Sequence, residues 1–171
     1  MYVHPGRQIA YLAHPRTASG ATAEALLGIG FTQVGKHHGA GNLTGLRVLT
    51  TVRNSWDAAV SWVFGRCKAG PENWDVATFK AALKGNHWIK DHRMWFHLGR
   101  ADEVLRYETL REDLREALGE EIELPRRNVA TARHGRDYRE FYTPETERYI
   151  GRLFGEEIAE LGYQFDKEKA A

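Results

Sequence analysis

The sequence predicts an α/β fold: three layers around a mainly parallel central sheet. Three observations carry that prediction. The apolar run Ile9-Ala10-Tyr11-Leu12-Ala13 leads through a turn of small residues into the helix-forming run Ala23-Glu24-Ala25-Leu26-Leu27. The β-branched and apolar stretch Arg47-Val48-Leu49-Thr50-Thr51-Val52 is followed by Trp56, Ala59, Val60, Val63 and Phe64 at the i, i+3, i+4, i+7, i+8 spacing of a core-facing helix. A third short strand, Glu103 to Tyr107, leads into another helix. Strands alternating with helices favour a sheet of parallel strands joined by helical crossovers.

The remaining elements follow in order. The first helix runs to about Ile29, with Gly28 and Gly30 as its stop. Phe31 to Val34 reads as a short strand, and 36–45 as a glycine-rich loop. The helix after Val52 begins at Asn54 or Ser55, with Asp57 in its first turn facing the positive end of the dipole. Residues 75–84 and 88–98 read as helical. Thr109 and Glu112 have the spacing of a capping box for a helix ending near Gly119. Thr143 as cap and Pro144 at the first position open a last helix, stopped by Gly162. Its Ile150, Leu153, Phe154, Ile158 and Leu161 share one face.

Composition narrows the class. The chain has 171 residues, 42% hydrophobic and 27% charged, with a formal net charge of +1. That length fits a single domain spanning 1–171, and the near-neutral balance argues against a nucleic-acid coat protein. Cys67 is the only cysteine, so no intrachain disulfide and no cysteine-based zinc site is available. No apolar run reaches the roughly 18 residues that a membrane span needs, and the first residues lack a signal-peptide apolar core. The expectation is a cytoplasmic protein without a membrane anchor.

The chemistry concentrates in His14-Pro15-Arg16-Thr17-Ala18-Ser19-Gly20-Ala21-Thr22. A small-residue turn between a strand and a helix aims backbone N–H groups at one point, an arrangement suited to phosphate or sulfate. Arg16 adds a permanent charge with a forked donor set. Arg53, at the end of the next predicted strand, is a second anion-binding candidate, with Ser61 on the helix that follows. Ligands of open α/β sheets bind at the carboxyl ends of strands. Two anion sites on one edge imply a ligand carrying two separated anionic groups.

These segments, in this order, resemble the PAPS-dependent sulfotransferases. Pro15 to Thr22 is similar to the family's 5′-phosphosulfate loop. Val52-Arg53-Asn54-Ser55-Trp56-Asp57-Ala58-Ala59-Val60-Ser61 is similar to its 3′-phosphate motif, with the Arg-to-Ser spacing matched. Leu105-Arg106-Tyr107-Glu108-Thr109-Leu110 and the segments from Asp137 to Thr143 and from Leu161 to Phe165 also resemble family members. The resemblance implies a P-loop NTPase-like sulfotransferase fold and 3′-phosphoadenosine 5′-phosphosulfate as donor co-substrate, with no metal. It implies transfer of the sulfuryl group to a hydroxyl-bearing acceptor. The donor contacts would fall on Arg16, Thr17, Ala18, Ser19, Gly20, Ala21 and Thr22 for the 5′ end, and on Arg53 and Ser61 for the 3′-phosphate. Arg133 and Gly135 would form a third donor-binding segment.

Within the family a histidine after a lysine acts as base. His38 matches that place best in Lys36-His37-His38, with His37 next. Other branches use Glu, which keeps Glu24 and Glu108 as alternatives. Arg16 stands where many members have Lys, and Gly20 and Ala21 where Thr or Ser is commoner. Arginine stabilises leaving-group charge but is a poor proton donor. Ser55 replaces a frequent Pro and is a candidate cap. The chain is short for the family, which implies a small or exposed acceptor, or a pocket completed by a partner subunit.

Two other functions compete: a small nucleotide or metabolite kinase, and a non-catalytic nucleotide-binding module with a degenerate site. Gly30 to Lys36 matches most of a phosphate-binding kinase loop, but His37 stands where Ser or Thr would hold magnesium, and the segment follows a helix. His87, His92 and His97 step by five residues, about 140° each, so they do not share a helix face. Trp88, His92 and Trp95 do, at the spacing of a core stripe or an acceptor-pocket wall.

Overall fold

The computed structural model of the protein describes residues 1–66, 75–85, 95–125 and 136–165. They fall into two compact units, one from the described residues within 1–53 and 94–127, the other from those within 54–93 and 128–171.

The first unit is built on a five-stranded sheet: β1 (Tyr2–His4), β2 (Ile9–Leu12), β3 (Thr32–Gln33), β4 (Arg47–Val52) and β5 (Glu103–Arg106), in the order β3-β1-β2-β4-β5. The ladders β2–β4 and β4–β5 are parallel, and β1–β2 and β1–β3 antiparallel. The expected mainly parallel sheet is therefore corrected to a mixed one. Tyr2-Val3-His4 pairs with Ile9-Ala10-Tyr11 across the turn Pro5-Gly6-Arg7-Gln8, in which Gln8 takes a positive φ of 53°. A three-residue strand is too short to show period-two alternation, so nothing in Met1 to Arg7 announced it.

The turn before α1 (Ser19–Gly28) lies at the carboxyl end of β2. Helix α4 is the single turn Trp95–Leu98, and α5 spans Leu110–Leu118. Tyr11, Leu49 and Leu105 lie on one sheet face and pack with Ala23 and Leu26 of α1 and Leu110, Leu114 and Ala117 of α5. Leu12, Ala10 and Val48 on the other face pack against Leu43 of the glycine-rich loop and Leu46 just before β4. The buried hydroxyls of Thr50 and Tyr11 are paired, as burial favours. Thr50 Oγ1 donates to Leu12 O at 2.9 Å, and Tyr11 Oη lies 2.9 Å from Thr51 Oγ1. Burial pushes the Tyr11 phenol up to about 12.

The predicted capping box at Thr109 does not form. A 3₁₀ turn over Tyr107–Thr109 precedes α5, and Thr109 makes no side-chain cap bond. Asp113 Oδ2 accepts from the Arg106 N–H at 2.5 Å instead, tying the end of β5 to α5. The other terminus agrees with expectation: Gly119 takes φ 73°, a left-handed cap conformation that glycine adopts without a Cβ clash.

The second unit contains α2 (Ser55–Arg66), α3 (Val76–Gly85), α6 (Pro144–Leu153) and α7 (Gly155–Leu161). The predicted stripe of α2 is buried throughout: Trp56, Ala59, Val60, Val63 and Phe64. It packs with Phe79 of α3, Phe141 and Ile150. Ring pairs at edge-to-face angles knit this core, including Phe64–Phe141 at 4.8 Å and Phe79–Tyr142 at 4.9 Å between centroids. Asn54 Oδ1, not Ser55, caps α2, accepting from Trp56 N–H at 3.0 Å. Thr143 and Pro144 open α6 as predicted, with a reciprocal Thr143–Thr146 box. The single last helix is corrected to two, divided at Phe154, where the backbone leaves helical geometry ahead of Gly155. Of the predicted helix over 88–98, the described part is α4; Trp88 and His92 lie outside the described residues.

Candidate functional site

The site lies in the first unit, at the carboxyl end of β2 and β4. Because these neighbours are parallel, the turn after β2 and the residue ending β4 emerge on the same edge. The turn is closed by Thr17, fully buried, whose Oγ1 donates to His14 O at 2.8 Å. Arg16 and Ala18 take positive φ values of 64° and 59°. For residues with a Cβ this conformation costs about 1–2 kcal/mol each. Such strain persists only where the surroundings enforce it. One enforcing contact is visible: Arg53 Nη1 donates to Arg16 O at 3.0 Å.

Helix α1 then starts without compensation. Ala18 offers no side-chain cap, and no acidic residue occupies the first turn. The N–H groups of Ser19, Gly20 and Ala21 have no carbonyl one turn behind them, whereas Thr22 N–H already reaches Ala18 O at 3.0 Å. In the second unit, α2 and α6 differ: each is side-chain capped and each has an acidic residue in its first turn. The start of α1 therefore presents an unneutralised positive dipole end.

Arg53 is buried, with its guanidinium carbon 4.0 Å from the centroid of the Tyr107 ring. Tyr107 directly follows β5, so a third parallel strand supplies the surface on which the guanidinium lies. A fork held on one face by a ring and at one nitrogen by a carbonyl keeps a fixed orientation. Sequence reasoning missed this role of Tyr107; its position immediately after a strand, next to Arg106, was the available signal.

The glycine-rich loop brings both candidate histidines to the same turn. His38 Nδ1 lies 2.8 Å from Ala13 O; a carbonyl only accepts, so Nδ1 carries the proton and the neutral ring keeps its lone pair on Nε2. His38 is exposed. His37 is engaged at both nitrogens: Nδ1 is 2.5 Å from Tyr2 Oη, and Nε2 is 3.5 Å from Ser19 Oγ. Partial burial, and next the neighbouring His38, lower its pKa. The two rings lie 4.1 Å apart. Behind them the buried rings of His14 and His97 meet edge to face at 5.5 Å. Burial, and next the neighbouring His38, pull His97 down to about 4, so it is neutral at ordinary pH.

The structure thus brings together Arg16, Thr17, Ala18, Ser19, Gly20, Ala21, Thr22, Arg53, His37 and His38. Glu24 lies on the exposed side of α1, beside a cleft lined by Arg111 and the 121–125 segment. Glu108 is half-buried in the turn after β5. Ser61 belongs to the second unit, half-buried on α2. Arg133 and Gly135 lie outside the described residues. Among the described residues, no group of three or more His, Cys, Asp or Glu side chains could hold a metal ion, and no helix is long and apolar enough to cross a membrane. No protein-family model, no curated protein and no solved structure matches the chain.

Proposed function

We propose that the protein is a sulfotransferase that uses 3′-phosphoadenosine 5′-phosphosulfate to sulfate a hydroxyl acceptor. The observation that carries this reading is the Arg53–Arg16 hydrogen bond, which joins the two predicted anion-binding motifs at the ends of adjacent parallel strands. Sulfuryl transfer requires alignment and stabilisation of charge on the leaving oxygen, much as phosphoryl transfer does. The donor set fits that demand: three N–H groups opening α1, the Arg16 guanidinium, and the oriented fork of Arg53.

The acceptor hydroxyl must lose a proton as it attacks. His38 suits the role of base better than His37. Its Nδ1–H is tied to Ala13 O, which leaves Nε2 able to take a proton and aims the ring. Both nitrogens of His37 are already occupied. Arg16 is an electrostatic clamp and not a proton donor, because guanidinium does not deprotonate in the working range.

The test is titration with adenosine 3′,5′-bisphosphate in the absence of magnesium, followed by a labelled-sulfate transfer assay across an acceptor library. Micromolar binding with His38-dependent transfer supports the enzyme. Binding with no transfer to any acceptor turns the reading to a nucleotide-binding module. Magnesium-dependent ATP binding in its place turns it to a kinase.

A further inference from the structure

Three hydrophilic side chains form a chain that the proposed reaction does not itself need: Tyr2 Oη, His37 Nδ1 and Nε2, and Ser19 Oγ, at successive separations of 2.5 and 3.5 Å. Tyr2 and Ser19 are buried. Each member is both a donor and an acceptor, so protons can be arranged in two ways. In one, Nδ1–H donates to Tyr2 Oη, and Tyr2 donates onward to Gln33 Oε1 at 3.4 Å. Nε2 then accepts the Ser19 proton, and Ser19 turns its lone pairs outward. In the other, Tyr2 donates to Nδ1, Nε2–H points to Ser19 Oγ, and the Ser19 proton is left to point outward.

The distances and the chemistry select the second arrangement. The imidazole nitrogen is the nearer acceptor by 0.9 Å. It is also more basic than a carboxamide oxygen, while a phenol is a stronger donor than a neutral imidazole N–H. Gln33 is meanwhile fixed by its own Nε2 bond to Gly35 O at 3.0 Å. Ser19 opens α1, so its outward proton enters the space faced by the first N–H groups of that helix. The long separation from His37 is typical of a site whose hydrogen bonds shorten on binding.

We propose that Tyr2 and His37 are positioning residues: Tyr2 fixes His37 as the Nε2–H tautomer, and His37 thereby turns the Ser19 hydroxyl into a donor aimed at a bound oxyanion. The relay rests on the oxyanion-cradle reading of the 16–22 turn, although the tautomer itself is independent of any ligand. It also assigns unlike duties to adjacent histidines. His38 holds its proton on Nδ1 and accepts at Nε2; His37 accepts at Nδ1 and donates at Nε2.

The experiment combines histidine nitrogen NMR on the full chain, above the histidine titration range, with ligand titrations. The His37 signal is assigned by its loss in His37→Gln. The expected result is the Nε2–H pattern for His37 in the native protein and a shift toward a tautomer mixture in Tyr2→Phe, which keeps the buried ring. Inorganic sulfate, titrated on the Ser19 and Gly20 amide signals, should bind about tenfold more weakly in both Tyr2→Phe and Ser19→Ala. The double variant should be no weaker than Ser19→Ala alone, because both changes remove one relay. An Nδ1–H pattern in the native protein overturns the proposal, as do fully additive losses or an absence of sulfate binding. Sulfate binding with the expected tautomer, but no binding of adenosine 3′,5′-bisphosphate, upholds this relay and overturns the donor-nucleotide reading.

Discussion

The two units hold themselves together by different means. The second is an aromatic cluster: Trp56, Phe64, Phe79, Phe141 and Tyr138 are buried, Tyr142 packs against them, and helices α2 and α6 are capped by Asn54 and Thr143. The first surrounds a sheet edge with buried imidazoles, hydroxyls and a guanidinium, leaves α1 uncapped, and retains three non-glycine residues at positive φ, two of them, Arg16 and Ala18, in the turn before α1. In the second unit α2 and α6 start with a side-chain cap and an acidic first turn; in the first, the start of α1 has neither and follows two residues at positive φ. Local departures of this kind mark places where the fold tolerates cost for a site.

That contrast can be broken by substitutions whose effects should separate. The largest effect is expected for His38→Ala, which should slow labelled-sulfate transfer by about 10²–10⁴ while leaving affinity for adenosine 3′,5′-bisphosphate within a few-fold of native. Equal losses in rate and affinity would make His38 a ligand contact and not a base. Next is Phe141→Ala in the second unit. Phe141 is fully buried among Phe64 and the α2 stripe, and its truncation should cost about 3–5 kcal/mol in denaturant unfolding. A loss below about 1 kcal/mol would mean that this cluster is not the stabilising core described here.

A smaller effect is expected from acid. His97 is buried and its pKa in the folded protein is about 4, below the ordinary histidine value of 6.5. The folded state therefore binds fewer protons than the unfolded chain in that interval, and its contribution to stability is complete above 6.5 and lost as pH falls from 6.5 to 4. The denaturation midpoint should drop across that window, and His97→Gln should flatten the drop. An unchanged profile in the variant would remove His97 as its source. The smallest effect is expected for Ala18→Gly. Glycine adopts φ 59° without the Cβ penalty, so stability should rise by about 0.5–1 kcal/mol despite the greater freedom of the unfolded chain. A fall of similar size would mean that Ala18 is not strained.

Much of the scaffold was legible in the sequence because periodicity encodes burial. The stripe of α2, the run of β4 and the Thr143–Pro144 start of α6 were each predicted at or near their observed bounds. Two of the misses have a common cause, that short elements carry too few residues to show a period. Strand β1 is three residues long, and its hairpin with β2 makes the sheet mixed. The turn at Tyr107–Thr109 displaced a cap whose spacing was correct on paper. In the site, the segments Pro15–Thr22, Lys36–His38 and Arg53 were visible as residue types suited to anions and proton transfer. The pairings of Tyr2 with His37, Tyr107 with Arg53, and His14 with His97 were not, because they join residues far apart in the chain.

The central claim is that Arg53 and the 16–22 turn act together on a doubly anionic adenosine nucleotide. The most direct measurement is calorimetric titration of adenosine 3′,5′-bisphosphate, without magnesium, into the native protein and Arg53→Lys. Lysine keeps the charge but loses the fork that spans the Tyr107 ring and Arg16 O. The account predicts micromolar binding by the native protein and a loss of about tenfold or more in the variant. Equal affinity in the two proteins, or no binding to either, would contradict it.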